Sequence, residues 1–363
     1  MEDLTEIKFK DFIKLNRGFD LPETKIISGK YPIAASTSIK DYHKEFKVKP
    51  PCVTTGRSGS LGIVLYIEEE CWPLNTTLYV KDFKGNNPRY VYYFLQMMKL
   101  QNFNSGAGVP TLNQNHLHNL KLKVHDKGQQ PIIANILSVY DDLIENNTKR
   151  ITILEQISEQ IYKEWFVRMR FPGYEKAEFE KGVPKEWEVK KLKELLKLHY
   201  GKSLLEEKRD GGSIPVYGSS GVVGYHSKPL VKGPGIIIGR KGNVGSVFYS
   251  FSDFFAIDTV YYVESKLSLL FLFQLLKTIH FIDSDAAVPG LNRDQAYSNK
   301  VFFPGIDLVN KYHALIEPIF LQKRNLQHQI NILKQTRDLL LLRLISGKLR
   351  LKAVKEPEII SRQ

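Results

Sequence analysis

The sequence has few cysteines and no long apolar run, and both absences narrow the class of protein. Only Cys52 and Cys71 occur in 363 residues, which excludes a disulfide-stapled secreted framework and a cysteine-rich zinc module. A single structural disulfide between them stays open. The longest apolar stretch, 267–281, contains Gln274 and Lys277 and is too short to span a bilayer. The first ten residues have no apolar core of a secretory signal. We predict a soluble, cytoplasmic protein.

The sequence also lacks the short motifs of common enzymes. It has no P-loop, no H-E-x-x-H zinc motif, no G-x-S-x-G nucleophile elbow and no glycine-rich S-adenosylmethionine loop with its catalytic partner motif. Asn87-Pro88-Arg89-Tyr90 resembles that partner motif, but arginine at its third position favours a turn. We predict no catalytic residue, no metal site and no cofactor in this chain. Two other functions stay open at this point. One is an endonuclease or a fused methyltransferase that acts alone, and the other is a coiled-coil adaptor that binds no DNA.

The sequence has more basic than acidic residues, although its overall composition is that of an ordinary globular protein. Lysine and arginine number 52 against 39 aspartate and glutamate residues, which gives a net charge of +13. This excess favours a polyanionic partner, and nucleic acid first. By segment the net charge is +5 for 1–130, −2 for 131–183, +4 for 184–304 and +6 for 305–363. The two globular segments are therefore basic, whereas the helical segment between them is not.

The chain is a tandem repeat of one unit. At a constant shift of 183, residues 9–80 align with 192–263 without a gap, and 24 of the 72 positions are identical. The shift then becomes 179, which aligns Val109-Pro110-Thr111-Leu112-Asn113 with Val288-Pro289-Gly290-Leu291-Asn292, and 151–156 with 330–335. An internal repeat fixes the architecture before local propensity does. The repeated unit is a globular part followed by a helix.

Each globular part is followed by ten positions with an uninterrupted 4,3 spacing, eight of them apolar. The two sets are Ile133, Leu137, Tyr140, Ile144, Asn147, Ile151, Leu154, Ser158, Ile161 and Trp165, and Tyr312, Ile316, Ile319, Lys323, Leu326, Ile330, Leu333, Arg337, Leu340 and Leu344. This pattern predicts a coiled-coil seam on two helices. If the copies are related by a pseudo-twofold axis, the helices pack antiparallel, and about 38 residues span roughly 57 Å. Pro318 predicts a kink or a late start in the second helix.

The second helix carries apolar residues on more than one face. Leu339, Leu341, Leu342 and Ile345 lie near or off the seam. An intramolecular core accounts for the seam itself, but a surplus apolar face suits an interface with another subunit. We predict that these four residues bind a partner.

A glycine-arginine heptapeptide lies between predicted short strands in both copies, at 56–62 and 239–245. Its glycines are three apart and a strand follows, which excludes the dinucleotide-binding turn, because that turn opens a helix. Two interpretations stay open. The heptapeptide is a tight turn that requires positive φ, or it also brings Arg57 and Arg240 to a DNA phosphate.

The ordered repetition of this turn, the Val-Pro-x-Leu-Asn segment and a long helix strongly resembles the specificity subunit of type I restriction-modification enzymes. The similarity covers nearly the whole chain. Val183-Pro184-Lys185-Glu186-Trp187 and the run 217–226 look like the openings of that family's target recognition domains. Copy one departs from this pattern, since Met1 and Leu4 stand where the proline and tryptophan would be.

The resemblance implies an α/β (α+β) fold with two repeated globular target recognition domains, separated by two long antiparallel coiled-coil helices in a pseudo-twofold arrangement. The predicted bounds are 1–130 for target recognition domain 1, 131–170 for the first spacer helix, 171–186 for a linker, 187–304 for target recognition domain 2, 305–348 for the second spacer helix and 349–363 for a C-terminal tail.

The resemblance also implies the partners. Each target recognition domain would read one half of a bipartite, asymmetric double-stranded DNA site, while the helices fix the spacing and bind two modification subunits. Restriction subunits would join the complex. S-adenosylmethionine, ATP and magnesium would belong to those partner subunits, and this chain would be non-catalytic.

DNA-contacting residues cannot be transferred from the family by motif, so they are predicted from residue chemistry. Loop asparagine and arginine supply bidentate base contacts, and lysine supplies phosphate contacts. The predicted set is Arg57, Asn113, Tyr217, Ser219, Arg240, Lys241, Asn292 and Arg293.

Overall fold

The computed structural model describes residues 4–106, 108–281 and 290–349. The chain forms two compact units: unit 1 comprises Met1–Asn146 and Ile330–Gln363, and unit 2 comprises Asn147–Gln329. Each unit therefore combines one globular part with a stretch of both long helices. The linear domain bounds stay a prediction. The predicted tail beyond Leu349, and Val288-Pro289 of the second Val-Pro-x-Leu-Asn segment, lie outside the described residues.

The globular part of unit 1 contains two small sheets and a strand pair. Its elements are β1 (Leu4–Lys8), α1 (Phe9–Phe12), β2 (Lys14–Arg17), β3 (Tyr31–Ala34), β4 (Ile39–His43), β5 (Cys52–Gly56), β6 (Val64–Ile67), β7 (Trp72–Pro73), β8 (Thr77–Asp82), α2 (Pro88–Met97), α3 (Gln114–His118) and β9 (Lys121–His125). The sheet orders are β2-β8-β5-β6 and β4-β3-β7, and β1 pairs with β9. Antiparallel pairing of β5 with β6 confirms the predicted strand, turn, strand around the first heptapeptide.

Helix α2 explains the tetrapeptide that resembled a catalytic motif. The side chain of Asn87 accepts hydrogen bonds from the backbone N–H groups of Arg89 and Tyr90, and Pro88 occupies the first helical turn. This is a strong helix start, because an asparagine cap satisfies N–H groups that have no partner within the helix. The tetrapeptide therefore begins a helix whose Tyr90 and Tyr93 are buried in the core of unit 1.

Unit 2 repeats this topology. Helix α4 (Gln129–Tyr162) is followed by a π-helical turn, Lys163–Val167, and then by β10 (Phe179–Glu180), β11 (Val183–Pro184), β12 (Glu188–Lys191), α5 (Leu192–Leu195), β13 (Lys197–Tyr200), β14 (Ile214–Gly218), β15 (Gly221–His226), β16 (Gly235–Gly239), β17 (Val247–Ser250), β18 (Phe255–Ala256), β19 (Val260–Glu264), α6 (Leu269–Thr278), α7 (Arg293–Ser298), β20 (Lys300–Phe303) and α8 (Ile306–Ile345). The sheet orders β13-β19-β16-β17 and β15-β14-β18, with the pair β12-β20, match those of unit 1. The structure confirms the duplication predicted from the sequence.

The longest apolar stretch of the sequence becomes α6. Leu270, Phe271, Leu272 and Leu276 of this helix are buried in the core of unit 2. Among the described residues, no helix is long and apolar enough to cross a membrane.

The two long helices pair antiparallel within unit 2. Tyr312 on α8 donates to the backbone oxygen of Ser158 on α4 at 3.4 Å. Further along α8, Lys323 forms an ion pair with Glu155 at 2.5 Å. Gln329 then accepts a hydrogen bond from Asn147. Rising residue numbers on α8 meet falling numbers on α4. The polar seam side chains Asn147 and Lys323 are paired across the helices, and the Ser158 hydroxyl donates to the Leu154 oxygen within α4, as buried polar groups require.

The same arrangement holds within unit 1. Arg337 of α8 forms an ion pair with Asp141 of α4 at 2.6 Å, and Leu344 shares a core with Ile133 and Leu137. Every position of the predicted seam is buried or half-buried, which confirms the periodicity. Helix α8 begins well before the exposed Pro318 and continues through it, so the alternative of a late start is wrong.

Candidate DNA interface

The glycine-arginine heptapeptide forms the same tight turn in both units. Positive φ angles occur at Gly59 (82°), Gly62 (93°), Gly242 (78°) and Gly245 (76°). A Cβ added to Gly56 would lie 2.0 Å from the backbone oxygen of Ser60, and one added to Gly239 would lie 2.1 Å from that of Asn243. Other residues disfavour such backbone angles and cannot fit such contacts. The tight-turn interpretation is confirmed, and contact with DNA stays a prediction.

Backbone hydrogen bonds hold this turn against the Leu-Asn segment that precedes a short helix. In unit 1, Leu112 N–H donates to the Arg57 oxygen at 2.8 Å, and Arg57 N–H donates to the Thr76 oxygen. In unit 2, Leu291 N–H donates to the Arg240 oxygen at 2.8 Å, and Arg240 N–H donates to the Thr259 oxygen. The two segments that repeat most closely in sequence therefore meet in each unit.

The two turn arginines have a structural role in addition to any role toward DNA. Arg57 donates to the backbone oxygen of Asn75 at 3.3 Å, and Arg240 donates to that of Asp258 at 3.0 Å. Asn75 and Asp258 are equivalent under the 183-residue shift. A guanidinium has five N–H donors, so each arginine keeps donors for a ligand after anchoring its turn.

Asn113 and Asn292 are helix caps. The Asn113 side-chain oxygen accepts from the Asn115 N–H, and that of Asn292 accepts from the N–H groups of Asp294 and Gln295. These bonds start α3 and α7. A bidentate adenine contact uses both the oxygen and the amide nitrogen of an asparagine. The Asn292 oxygen uses both lone pairs for its cap, so only its exposed amide nitrogen is free for a base, whereas the Asn113 oxygen keeps one lone pair.

A cavity of about 430 Å³ in unit 2 gathers half of the predicted DNA-contacting residues. Its lining includes the predicted Arg240, Lys241, Asn292 and Arg293, together with Tyr200, Tyr261 and Asp294. Sequence reasoning missed the last three. The repeat alignment could have pointed to them, because unit 1 has different residues at the equivalent positions beside the shared turn, namely Arg17, Leu78 and Asn115.

Aromatic rings hold the arginines of this cavity. The guanidinium carbons of Arg240 and Arg293 lie 4.9 and 5.2 Å from the ring centre of Tyr200, within cation–π range. Tyr261 donates to the Leu291 oxygen at 3.0 Å. Burial, and then its hydrogen bond with Tyr200, raise the pKa of Tyr261 to about 12, so this phenol is neutral at physiological pH. The rings restrict the guanidinium groups without neutralising them.

Positive charge is in excess at these turns: in unit 2, three cations and one carboxylate, that of Asp294, line the cavity. No described residue forms an ion pair with Arg57, Arg240, Lys241 or Arg293. Lys241 and Arg293 are exposed, and so is Arg17 beside the turn of unit 1. Unpaired surface cations of this kind attract phosphate.

The remaining predicted DNA contacts differ in position. The backbone oxygen of Ser219 accepts from the Ser246 hydroxyl at 2.7 Å, which places Ser219 against the second heptapeptide. Tyr217 instead packs against Phe254 with ring centres 5.8 Å apart, and burial raises its pKa. The structure brings Ser219 to the turn, whereas Tyr217 lines a separate cavity of unit 2 with Val222 and Phe248.

The predicted partner-binding residues divide into two pairs. Leu339 and Leu342 are exposed by 61% and 49%, whereas Leu341 and Ile345 are exposed by 7% and 0%. The buried pair belongs to the core of unit 1. This corrects the prediction for Leu341 and Ile345, because side chains inside a core cannot contact another subunit.

Within residues 4–106, 108–281 and 290–349, the cysteines and carboxylates form no metal site. Cys52 and Cys71 are buried free thiols. The structure therefore does not contain the disulfide that the sequence left open. A hydrogen bond with Cys71 and burial raise the pKa of Cys52, which keeps this thiol unreactive. Among the described residues, no group of three or more histidine, cysteine, aspartate or glutamate side chains is arranged to hold a metal ion.

Comparisons with known proteins agree with this architecture. The family model of the type I restriction modification DNA specificity domain matches residues 1–156 and 184–287. The type I restriction enzyme MjaIX specificity subunit of Methanocaldococcus jannaschii is 28% identical over 299 residues, covering 72% of this chain and 69% of the relative. The MjaVIII specificity subunit of the same organism is 26% identical over 219 residues, covering 55% and 51%.

A solved structure shows the same fold. The type I restriction-modification system S subunit from M. genitalium superposes with a TM-score of 0.63 at 20% identity, covering 96% of this chain and 97% of that one. The family match extends over more than half of the chain, and the curated relatives are named specificity subunits. The chain therefore belongs to the type I restriction-modification DNA specificity family, with a role in DNA sequence recognition rather than catalysis.

Proposed function

We propose that each unit reads one half of a bipartite, asymmetric double-stranded DNA site. The observation that carries this proposal is that both units form the same tight turn, held by equivalent hydrogen bonds, in different side-chain surroundings. Arg17 and Ser58 stand beside the first turn where Tyr200 and Lys241 stand beside the second. Base recognition depends on a few side-chain contacts per module, so a shared scaffold with different side chains suits two different half-sites.

The charge distribution supports the same proposal. Both globular segments carry a net positive charge, and the cations beside the turns have no ion-pair partner among the described residues. Phosphate contacts supply affinity and orientation, whereas base contacts supply specificity. Arg57, Arg240 and Lys241 are the proposed phosphate contacts.

A footprint tests this proposal. The chain, purified with its modification subunits, is bound to a duplex selected from a randomised library, and protection is mapped with hydroxyl radicals. We expect two protected patches separated by an unprotected gap. One continuous patch, or no protection, contradicts the proposal.

We further propose that α4 and α8 set the spacing of the half-sites and dock two modification subunits, which restriction subunits join in the cytoplasm. S-adenosylmethionine, ATP and magnesium then act in those subunits. Two exposed isoleucines support a repeated docking surface. Ile153 and Ile332 are equivalent under the 179-residue shift and are exposed by 53% and 48%. Exposed Leu339 and Leu342 add apolar surface only in unit 1, because Gln160 and Lys163 are their counterparts.

Native mass spectrometry of the complex tests the docking. We expect Ile153→Glu or Ile332→Glu to release one modification subunit and the double variant to release both. Ile27→Glu is the control, because Ile27 is similarly exposed, at 51%, but lies outside the helices. A full complex with the double variant contradicts the proposed surface.

The rival functions give different results in simple assays. An endonuclease or fused methyltransferase acting alone would show activity from the purified chain with magnesium or S-adenosylmethionine, and we expect none. A coiled-coil adaptor would leave duplex DNA unprotected in the footprint. The names of the curated relatives favour the specificity subunit over both rivals.

A further inference from the structure

The cavity of unit 2 combines cationic donors with one carboxylate. Arg240, Lys241 and Arg293 supply N–H donors, while Asp294, next to Arg293 in sequence, lines the same cavity. A phosphodiester offers only acceptors and carries negative charge, so an aspartate beside it is unfavourable. The major-groove edge of a G·C pair offers both kinds of group, namely the O6 and N7 acceptors of guanine and the N4 donor of cytosine. The neighbouring pair Arg293 and Asp294 therefore suits a base-pair edge better than a phosphate, while Arg240 and Lys241 stay the proposed phosphate contacts.

Arg293 is the arginine best placed to meet that edge. No described residue forms a hydrogen bond or an ion pair with its guanidinium, and the side chain is exposed. Its guanidinium lies over the ring of Tyr200 at 5.2 Å. Arg240, in contrast, commits a donor to the Asp258 backbone. Arg293 thus keeps the two parallel donors that bidentate guanine recognition needs.

Tyr200 supplies the orientation. Its ring contacts both guanidinium groups and packs against Tyr261 with ring centres 5.0 Å apart. The phenol of Tyr261 is tied to the Leu291 backbone beside the turn. A guanidinium held over an aromatic ring loses less conformational entropy on binding than a free one. Tyr200 therefore acts as a positioning residue for Arg293.

We infer that Arg293 and Asp294 read one G·C pair in the half-site of unit 2, with guanine bound by Arg293 and cytosine N4 by Asp294. This inference rests on the proposed function and deepens it. Unit 1 lacks the arrangement, because Gln114, Asn115 and Arg17 are the counterparts of Arg293, Asp294 and Tyr200. The half-site of unit 1 should not share this requirement.

The test is binding selection from a randomised duplex library with the full chain and its modification subunits. The wild-type chain should select a G·C pair at one position of one half-site. Arg293→Gln installs the residue that unit 1 carries, and it should lower the preference for guanine at that position by about tenfold or more. Asp294→Asn should weaken the same position. Gln114→Ala, at the equivalent place in unit 1, should leave that position unchanged.

Two tyrosine variants separate positioning from folding. Tyr200→Leu removes the ring and should weaken the same guanine preference, while the other half-site is selected as before. Tyr200→Phe keeps the ring face and should retain the preference. A merely structural role of Tyr200 would instead degrade the whole half-site, and that result overturns its assignment.

Other outcomes overturn the inference in distinguishable ways. If Arg293→Gln weakens binding to all sequences equally, Arg293 is a phosphate contact and the base assignment is wrong. If Arg293→Gln changes nothing while two half-sites are still selected, the inference fails and the proposed function stands. If the wild-type chain selects no sequence at all, the proposed function itself fails.

Discussion

Units 1 and 2 keep the same backbone interactions while exchanging the side chains that face the candidate DNA interface. One hydrogen bond illustrates how this is achieved. The Leu15 N–H donates to His118 Nε2 at 3.2 Å in unit 1, and the equivalent Leu198 N–H donates to the Tyr297 hydroxyl at 2.8 Å in unit 2. Different residues thus meet the same structural requirement. The comparison teaches that the duplicated backbone is the scaffold, and we propose that a few lining residues carry the difference in recognition.

The cores of the two units differ in a similar way. Position 312 on α8 is a fully buried tyrosine, and its counterpart on α4 is the buried Ile133. Around Tyr312 lie the rings of Tyr162, Phe166 and Phe271, with centres 5.1–6.4 Å away. Unit 2 therefore joins its helices to its globular part through an aromatic cluster, and unit 1 uses an aliphatic residue at this point.

The largest expected effect comes from emptying that aromatic cluster. Tyr312→Ala should destabilise unit 2 by about 3–5 kcal/mol, and Ile133→Ala should destabilise unit 1 by about 2–5 kcal/mol. Hydrogen exchange with peptide resolution should show each loss of protection confined to one unit. Leu315→Ala, on the exposed side of the same helix, should have little effect. An equal loss of protection in both units from either variant would contradict the expectation that each unit has its own core.

A smaller effect is expected at the turns. Arg240→Ala with Lys241→Ala removes two cations, so the salt dependence of DNA binding should flatten by about two ions, whereas Arg57→Ala should flatten it by about one. Titrations at several salt concentrations measure both slopes. Lys241→Ala alone is the control for damage to the turn, because it removes a cation but leaves the hydrogen bond from Arg240 to the Asp258 backbone oxygen in place. Unchanged affinity and slope would remove the second turn from the interface.

The smallest expected effect is on the pH dependence of stability, which should differ between the two units because unit 1 has His118 where unit 2 has Tyr297. Burial, and then the charge of Lys14, lower the pKa of His118 below its usual 6.5, and its Nε2 can accept the Leu15 bond only when neutral. Above pH 6.5 the ring is neutral in the folded and unfolded states, so it adds no pH dependence. As the pH falls below 6.5 the unfolded chain binds a proton first, and stability is lost until the lowered folded pKa is passed.

The expected loss is about 1 kcal/mol, the usual net contribution of one hydrogen bond. His118→Tyr copies the residue of unit 2 and should abolish this part of the pH dependence. Urea unfolding of the wild-type chain and the variant at pH 7.5 and pH 5.5 isolates it from other titrating groups. An identical loss in both proteins would show that His118 does not contribute.

The sequence was sufficient to predict features that depend on periodicity and repetition. The 4,3 spacing from Ile133 and from Tyr312 predicted the paired helices, because only a buried stripe repeats in this way. Glycines three apart between apolar runs predicted the two turns. The repeat supported each prediction a second time, because the same pattern occurs in both copies.

Features that depend on tertiary packing escaped sequence reasoning. Leu341 and Ile345 appeared as surplus apolar surface, but the globular part of unit 1 buries them. The packing of the half-buried Tyr217 ring against Phe254 was likewise not predictable from the sequence, and its contact with DNA stays a prediction. Tyr200 was missed because a lone tyrosine at the end of a strand has no sequence pattern until Arg240 and Arg293 are seen over its ring.

The central claim is that one duplicated scaffold recognises two different half-sites, one per unit. A differential footprint tests it most directly, with the wild-type complex compared with Arg57→Ala and with Arg240→Ala combined with Lys241→Ala on the same duplex. We predict that the first variant loses protection in one patch only and the second in the other patch only. If either variant weakens both patches equally, or if the wild-type complex protects a single patch, the claim is contradicted.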